Sequence, residues 1–319
     1  MDDMRIPVAA DIEAAYRKIK PYVHKTPVLQ SSALNKIFGS ELYFKCENFQ
    51  KVGAFKFRGA INAVLSLNDD EVARGLITHS SGNHAAALSL AAGIRGAKAY
   101  IVMPSNSPAV KKKAVAGYGA EIRFCEPNLK ARLDTATEII NETGAVFIHA
   151  YDNFDVICGQ GSAGLELVNE YPDLDIVVGP VGGGGLMSGT AIAVKGQKPG
   201  IRVFGAEPLG ADDAYRSIKT GVYVSDHVPD TIADGLLTTL SKRTFAILSE
   251  MLDDIFTVSD ESIINSMRLL WERMKIIVEP SSAVSLAVIA ENPGVFKNRK
   301  VGIILSGGNV DLDNLPFSG

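Results

Sequence analysis

Hydrophobic and polar positions along this chain follow two alternating rhythms. Short apolar runs of strand length stop at small, polar or glycine residues, and stretches with helical periodicity follow them. Ala10 to Lys20 reads as the first helix, with Ile12, Tyr16 and Ile19 on one face and Pro21 closing it. Between residues 75 and 148 the pattern predicts strand Leu76–His79, helix Ala85–Ala92, strand Ala99–Met103 and helix Ala109–Gly117. Strand Ile122–Cys125, helix Leu129–Glu142 and strand Val146–His149 complete that unit. A second series runs from Gly161 to Leu305 and contains the buried-type strands Asp175–Val178 and Val301–Leu305. Alternation of this kind predicts an α/β fold with parallel sheets.

Three strands end in segments of similar design. Leu76–His79 leads into Ser80-Ser81-Gly82-Asn83-His84, and Asp175–Val178 leads through Gly179-Pro180-Val181 into Gly182-Gly183-Gly184-Gly185. Val301–Leu305 stops at Ser306-Gly307-Gly308-Asn309. Ligands of open α/β sheets sit off the carboxyl ends of the strands. In the tetraglycine, successive N–H groups without Cβ atoms form an anion-binding concavity, and a helix N-terminus behind it adds partial positive charge. That suits a phosphate monoester. A flexible linker is the plainer reading, but linkers are polar, and this run lies between a Val-rich strand and an apolar helix. Met187 and Ser188 occupy the place a third glycine would need for G-x-G-x-x-G, and no G-x-x-x-x-G-K-[ST] occurs. Both facts count against dinucleotide and P-loop sites.

Gly53-Ala54-Phe55-Lys56-Phe57-Arg58-Gly59 sets a lysine between two phenylalanines. An apolar setting disfavours the ammonium and lowers its pKa, and a neutral lysine amine forms imines with aldehydes. Alone, the segment reads as a surface lysine laying its stem on apolar neighbours. A lysine nucleophile, a phosphate cradle and strand-end polar loops together point to pyridoxal phosphate (PLP).

On these motifs the chain resembles the fold-type II PLP enzymes (tryptophan synthase β-like), and within them the serine racemase and serine/threonine dehydratase group. The resemblance extends from about Thr26 to about Leu312. It implies two open, mostly parallel twisted sheets flanked by helices. A large PLP-binding domain would comprise 1–74 and 149–319, a small mobile domain 75–148, with PLP in the cleft between them. Lys56 would carry PLP covalently, Phe55 would pack on its ring, and Asn83 would bond the ring hydroxyl. Gly182, Gly183, Gly184 and Gly185 would hold the phosphate. Ser306 would meet the pyridine nitrogen, with Glu279 nearby. A hydroxyl there leaves the ring neutral and a weaker electron sink than a carboxylate would, which favours β-elimination.

The resemblance also assigns substrate contacts. Ser80, Ser81, Asn83 and His84 would bind the α-carboxylate at a helix N-terminus, where Ser and Asn also serve as ordinary caps. Lys56 would take the Cα proton. Ser81 would be a second acid/base on the opposite face, as in racemases, against its plainer reading as a turn residue. Arg132 reads by default as a surface arginine. In similar enzymes the matching residue reaches the site on domain closure and could pair with a second carboxylate. That brings 3-hydroxyaspartate in beside serine and threonine. Thr238, or its neighbour Thr239, would supply a hydroxyl. Glu207, the carbonyl of Ala211 and Asp213 match a divalent-ion site for Mg2+, or Ca2+/Mn2+, with a structural or allosteric role. Ser31, Ser32, Lys51, Lys111, Tyr118 and Asn309 fit the ATP site of eukaryotic racemases. Val52 and Ala86 depart from it, which counts against ATP activation.

Bulk properties agree. A chain of 319 residues, 46% hydrophobic, can bury a core of one large or two modest domains. A net charge of −4, mixed in sign and without a basic run, argues against nucleic acid or anionic membrane as a partner. No apolar leader marks the first residues. The uncharged Ile176–Val194 contains a proline and six glycines, so it reads as a buried strand–turn–helix. Cys46, Cys125 and Cys158 read as reduced thiols of a cytoplasmic protein. Similar enzymes are homodimers. The expected activity is that of a PLP-dependent serine racemase and β-hydroxy amino acid ammonia-lyase. It would turn L-serine into pyruvate and ammonia, with L/D-serine racemisation in the same site. The alternatives are 3-hydroxyaspartate or threonine ammonia-lyase, then a β-replacement synthase, then a non-catalytic sensor on the same fold.

Overall fold

The computed structural model describes residues 4–80, 82–107 and 109–317, so Ser81 lies outside the described residues. Ten strands are present among them. They are β1 (Val28–Leu29), β2 (Glu41–Cys46), β3 (Leu76–His79), β4 (Ala99–Pro104), β5 (Glu121–Cys125), β6 (Val146–Phe147), β7 (Ile176–Pro180), β8 (Arg202–Pro208), β9 (Asp254–Val258) and β10 (Lys300–Leu305). They form two sheets, ordered β1-β2-β10-β7-β8-β9 and β5-β4-β3-β6. All pairings are parallel except β1 with β2. Two mostly parallel sheets flanked by helices are the architecture the sequence implied.

The large sheet is buried on both faces, which is why its central strands are continuous apolar runs. Ile176 and Val178 of β7 join one core with the helix Pro280–Glu291. Val177 between them faces a second core, with Leu167 of the helix Phe154–Glu170 and Val194 of the helix Gly185–Gln197. In the small sheet, Ile101 and Met103 pack on Phe57 and Ile61 of the helix Lys56–Ser66 and on Leu88 of the helix Asn83–Ile94. Tyr100 and Val102 face Ala136 and Ile139 of the helix Leu129–Thr143. The lysine helix thus packs against the small sheet, while the segment before it is bonded to the end of β10.

Strand β6 is shorter than the periodicity predicts. His149 leaves the ladder because its ring Nδ1 accepts the N–H groups of Tyr151 (3.3 Å) and Asp152 (2.9 Å), which turns the chain. The three cysteines are buried free thiols, and burial raises their pKa values. Among the described residues no helix is long and apolar enough to cross a membrane.

Candidate active site

Lys56 is the first residue of its helix, and the residues before it are bound to the loop after β10. Phe55 N donates to Ser306 O at 2.9 Å, Ala54 and Gly307 form an isolated antiparallel bridge, and Gly308 N donates to Gly53 O at 2.9 Å. Val52 takes φ 58°, a conformation disfavoured for a β-branched residue, at the entry to this staple. The Lys56 ammonium donates to Ala150 O at 3.1 Å and sits 5.0 Å from the centroid of the Phe55 ring. Desolvation lowers its pKa to about 8, against the opposing pull of the Glu279 carboxylate. A nucleophilic amine is therefore accessible near neutral pH.

Asn83 opens the helix Asn83–Ile94 and spans toward Glu279. Its Nδ2 donates to both Glu279 carboxylate oxygens, at 3.0 and 3.2 Å, and its Oδ1 accepts from Asn309 Nδ2 at 2.8 Å. Asn309 also donates to Val52 O at 2.7 Å, tying the lysine loop into the same network. Burial, then the Asp234 carboxylate, raise Glu279 to about 7. Ser306 Oγ lies 3.1 Å from Ser282 Oγ. The Ser282 hydroxyl donates to Gly307 O (2.6 Å) and accepts from Gly307 N (2.7 Å). With its single hydrogen committed, Ser282 accepts from Ser306. The Ser306 proton can be redirected to another acceptor without stranding Ser282.

The tetraglycine follows β7 and is buried throughout. Gly184 takes φ +82°, left-handed and suited to glycine, and Gly185 begins the next helix. A Cβ at Gly183 would overlap the Tyr151 ring, and one at Gly184 would crowd Leu240 and Thr244. The N–H groups of the first turn of Gly185–Gln197 have no intrahelical acceptor. Unbranched backbone, a left-handed turn and a helix N-terminus are features suited to holding a phosphate.

The opposite wall comes from the small sheet. Ser80 Oγ accepts from Gly82 N at 3.3 Å. His84 is buried, with Nε2 3.1 Å from Ile148 O and Nδ1 without a partner. Burial, then Lys56, lower it to about 3, so the ring is neutral and Nε2 carries the hydrogen. His79, Phe147, His149 and Tyr151 form an aromatic ladder with neighbouring centroids 4.5–6.2 Å apart. Burial lowers His149 to about 4, with His79 and Lys56 also acting on it. Burial and the charge of Arg132 lower His79. Arg132, in the first turn of Leu129–Thr143, has a buried Nε without a hydrogen-bond partner. The structure therefore gathers Lys56, His84, His149, His79 and Arg132 into one electrostatic neighbourhood. Thr238 is exposed and Thr239 half-buried, and neither contributes a bond to the neighbourhood.

The acidic constellation lies beyond the cradle. Glu207, at the end of β8, is fully buried and accepts from Tyr215 N (2.7 Å) and Ala214 N (3.3 Å). Asp213 accepts from Leu240 N at 2.9 Å. Burial and Asp213 raise Glu207 well above the carboxylate range, and burial raises Asp213 to about 6. Two buried acids whose backbone N–H donors only partly offset burial, beside the buried Ala211, make an oxygen donor set suited to a hard cation. Among the described residues no cluster of three or more His, Cys, Asp or Glu is placed to hold a metal ion. A separate cavity of about 550 Å³ is bordered by Asn83, Lys111, Tyr118, Asp234 and Asn309. There Lys111 is ion-paired with Asp234.

The family model described as pyridoxal-phosphate dependent enzyme matches residues 19–307. The chain belongs to that family. It is 49% identical to the serine racemase of Dictyostelium discoideum, over 99% of this chain and 98% of the relative. It is 48% identical to the beta-hydroxyaspartate dehydratase of Paracoccus denitrificans (strain Pd 1222), over 99% of this chain and 100% of the relative. Among solved structures, maize serine racemase superposes with a TM-score of 0.95 at 42% identity, covering 97% of this chain and 95% of that one. The close-packed tetraglycine at a helix N-terminus and the desolvated lysine amine fit PLP. Ser282 and Leu240 are contributors that sequence reasoning missed. Asn309 was visible in the Ser306–Asn309 motif, but only as a match to a nucleotide site.

Proposed function

We propose that this chain is a PLP-dependent ammonia-lyase for β-hydroxy amino acids, with serine racemisation in the same site. The observation that carries the reading is the desolvated Lys56 amine, its pKa lowered to about 8, stapled through Phe55 and Gly53 to the Ser306–Gly308 loop. PLP, when bound, supplies an electron sink for the carbanion at the substrate Cα. Gly182 to Gly185 would hold its phosphate, and Asn83 and Ser306 would orient the ring, the Ser306 hydroxyl donating to the pyridine nitrogen. Lys56 would carry the cofactor and, once released by substrate, take the Cα proton. Backbone N–H groups of the Ser80–His84 loop would bind the α-carboxylate. Ser81, outside the described residues, would be the second acid/base. We place Mg2+, or Ca2+/Mn2+, at Glu207, Ala211 and Asp213 as a structural or allosteric cation. Movement of 75–148 against the rest of the chain would exclude water from the cleft. A cytoplasmic homodimer is the expected working form.

A second reading has its own support. The unpartnered buried Nε of Arg132, beside His79, is suited to a distal carboxylate. It favours 3-hydroxyaspartate as substrate, the activity in the name of the Paracoccus relative. The test runs L-serine, L-threonine and L-threo-3-hydroxyaspartate side by side with PLP and magnesium, measuring keto-acid release and the chirality of the remaining amino acid. Pyruvate with D-serine from L-serine supports the racemase-lyase. Fast release from hydroxyaspartate alone supports the second reading. No keto acid and no inversion from any of the three would refute both.

A further inference from the structure

Two residues beyond Lys56, a charged network is almost wholly buried. Arg58 forks onto Glu47 through Nε (2.7 Å) and Nη2 (2.9 Å), and onto Glu166 through Nη1 (3.1 Å) and Nη2 (2.8 Å). Ser162 Oγ accepts from Nη1 at 3.1 Å. Lys45 donates to Glu166 at 2.5 Å and to Thr26 O at 2.8 Å, while Thr26 Oγ1 donates to Glu47 at 2.6 Å. The side chains of Arg58, Lys45 and Glu47 are fully buried and that of Glu166 nearly so. Burial alone would neutralise Glu47, yet the Arg58 guanidinium holds its carboxyl below the usual range.

Such a network is a poor way to gain stability. Desolvation of four charges offsets their attraction, and hydrophobic replacements of buried ion sets are often neutral or stabilising. What it supplies is geometry, since two planar forks fix a guanidinium in all directions. The anchored elements are those that define the site. Glu47 follows β2, whose Cys46 pairs with Leu305, the residue before Ser306. Glu166 and Ser162 lie on Phe154–Glu170, where Gly161 packs on the Gly189 carbonyl of the helix behind the tetraglycine. The same helix meets the lysine helix almost backbone to backbone, because a Cβ at Gly159 would overlap the Arg58 carbonyl.

We propose that Arg58 is a positioning residue for Lys56. The hydrogen bonds of Gly53 and Phe55 hold the lysine backbone from one side, and the Arg58 forks hold it from the other. The flexible Lys56 side chain then starts from a fixed Cα, in one frame with the Ser306 loop and the phosphate cradle. Small misplacements of a reacting group are costly in rate, so the forks act on covalent attachment of the cofactor more than on its phosphate-held binding.

This inference rests on the proposed PLP chemistry. The test compares wild type with Arg58→Lys, which keeps the charge and loses both forks. Because that variant can fail to fold, Arg58→Met/Glu47→Gln is made beside it, leaving the Lys45–Glu166 pair neutral as a unit. Cofactor-free proteins are mixed with PLP. Attachment is followed by the absorbance of lysine-bound PLP and by borohydride trapping on the Lys56 peptide. Binding of pyridoxamine phosphate, which cannot attach to lysine, reports the cradle, and thermal unfolding reports the fold. The expected result is at least roughly tenfold slower attachment, with pyridoxamine phosphate affinity within about threefold of wild type. Wild-type attachment rates in a folded variant would overturn the proposal, as would parallel losses of attachment and pyridoxamine phosphate binding. If wild-type protein takes up no PLP on Lys56, the proposed function fails and this inference with it.

Discussion

Asn83 Nδ2 lies within 3.2 Å of both carboxylate oxygens of Glu279, joining the first turn of a helix that packs on the small sheet to the loop before Pro280. Glu279 is buried and its pKa is raised to about 7. In the cofactor-free protein the folded chain therefore holds a proton that the unfolded chain loses near 4.5. The associated stability is fully present below that value and is lost as pH rises through about 7. The shift corresponds to a contribution on the order of 3 kcal/mol. Glu279→Gln cannot ionise, so urea unfolding of the cofactor-free proteins should show wild type losing stability relative to the variant from pH 5 to 8. A difference that stays flat across that range would show that Glu279 titrates normally.

Lys56 has the opposite sign. Its folded pKa of about 8 is below the ordinary lysine value. Its neutral form stabilises the fold at high pH, and that contribution is lost as pH falls through about 8. At pH 7 the partly desolvated ammonium is a cost. Lys56→Ala should thus abolish turnover while the cofactor-free protein melts at the wild-type temperature or above it at pH 7. Full lyase activity in the variant would remove the central assignment.

Some of this was legible in the chain and some was not. β3 and β4 are apolar runs ended by turn residues, and their starts are as the periodicity predicts. The tetraglycine stands out as a run of bare backbone, and a Cβ within it would meet Leu236, Tyr151, Leu240 or Thr244. β2 was hidden by Lys45, a charge inside a strand, which is tolerated only because Glu166 and Thr26 O receive it. The lysine helix shows in the chain only as a glycine-bounded segment, since Arg58 looks like surface and is buried only through carboxylates 11 and 108 residues away. Tyr151 over Gly183, and Ser282 beneath Ser306, are contacts between distant segments that no local pattern encodes.

Arg132 separates the two substrate readings. If its guanidinium receives a distal carboxylate, Arg132→Leu leaves that anion unpaired in the site. Removing one partner of such a pair typically costs about 3 kcal/mol, roughly a hundredfold in kcat/KM. The loss should fall on 3-hydroxyaspartate, with serine changed by less than about threefold. Equal loss on both substrates would make Arg132 a structural residue of the wall.

Cation binding should be visible without turnover. Glu207 and Asp213 are raised by burial, so a divalent ion that stabilises their anionic forms should stabilise the fold. Magnesium should raise the melting temperature of chelator-treated protein, more at pH 8 than at pH 5.5, where protons compete. Asp213→Asn should abolish the rise. A magnesium effect that survives in Asp213→Asn would move the ion elsewhere.

Gly183 gives the sharpest test of the phosphate cradle. A Cβ there would overlap the Tyr151 ring, and if the phosphate binds as proposed, the bare N–H groups would also have to reach the anion. In Gly183→Ala the ring must move, and it stands on a loop that also carries Ala150, whose carbonyl accepts from Lys56. Overpacking a buried position of this kind costs about 1–3 kcal/mol. Tyr151→Ala in the same chain opens the space the methyl needs. If the clash alone were responsible, the double variant would regain both melting temperature and PLP affinity. If the methyl also blocks the anion, stability should return while PLP affinity stays at least about tenfold weaker, because the N–H groups remain screened from the phosphate. Equilibrium titration of the two variants with PLP, beside their thermal unfolding, separates these outcomes. Wild-type PLP affinity in Gly183→Ala would place the phosphate away from the tetraglycine.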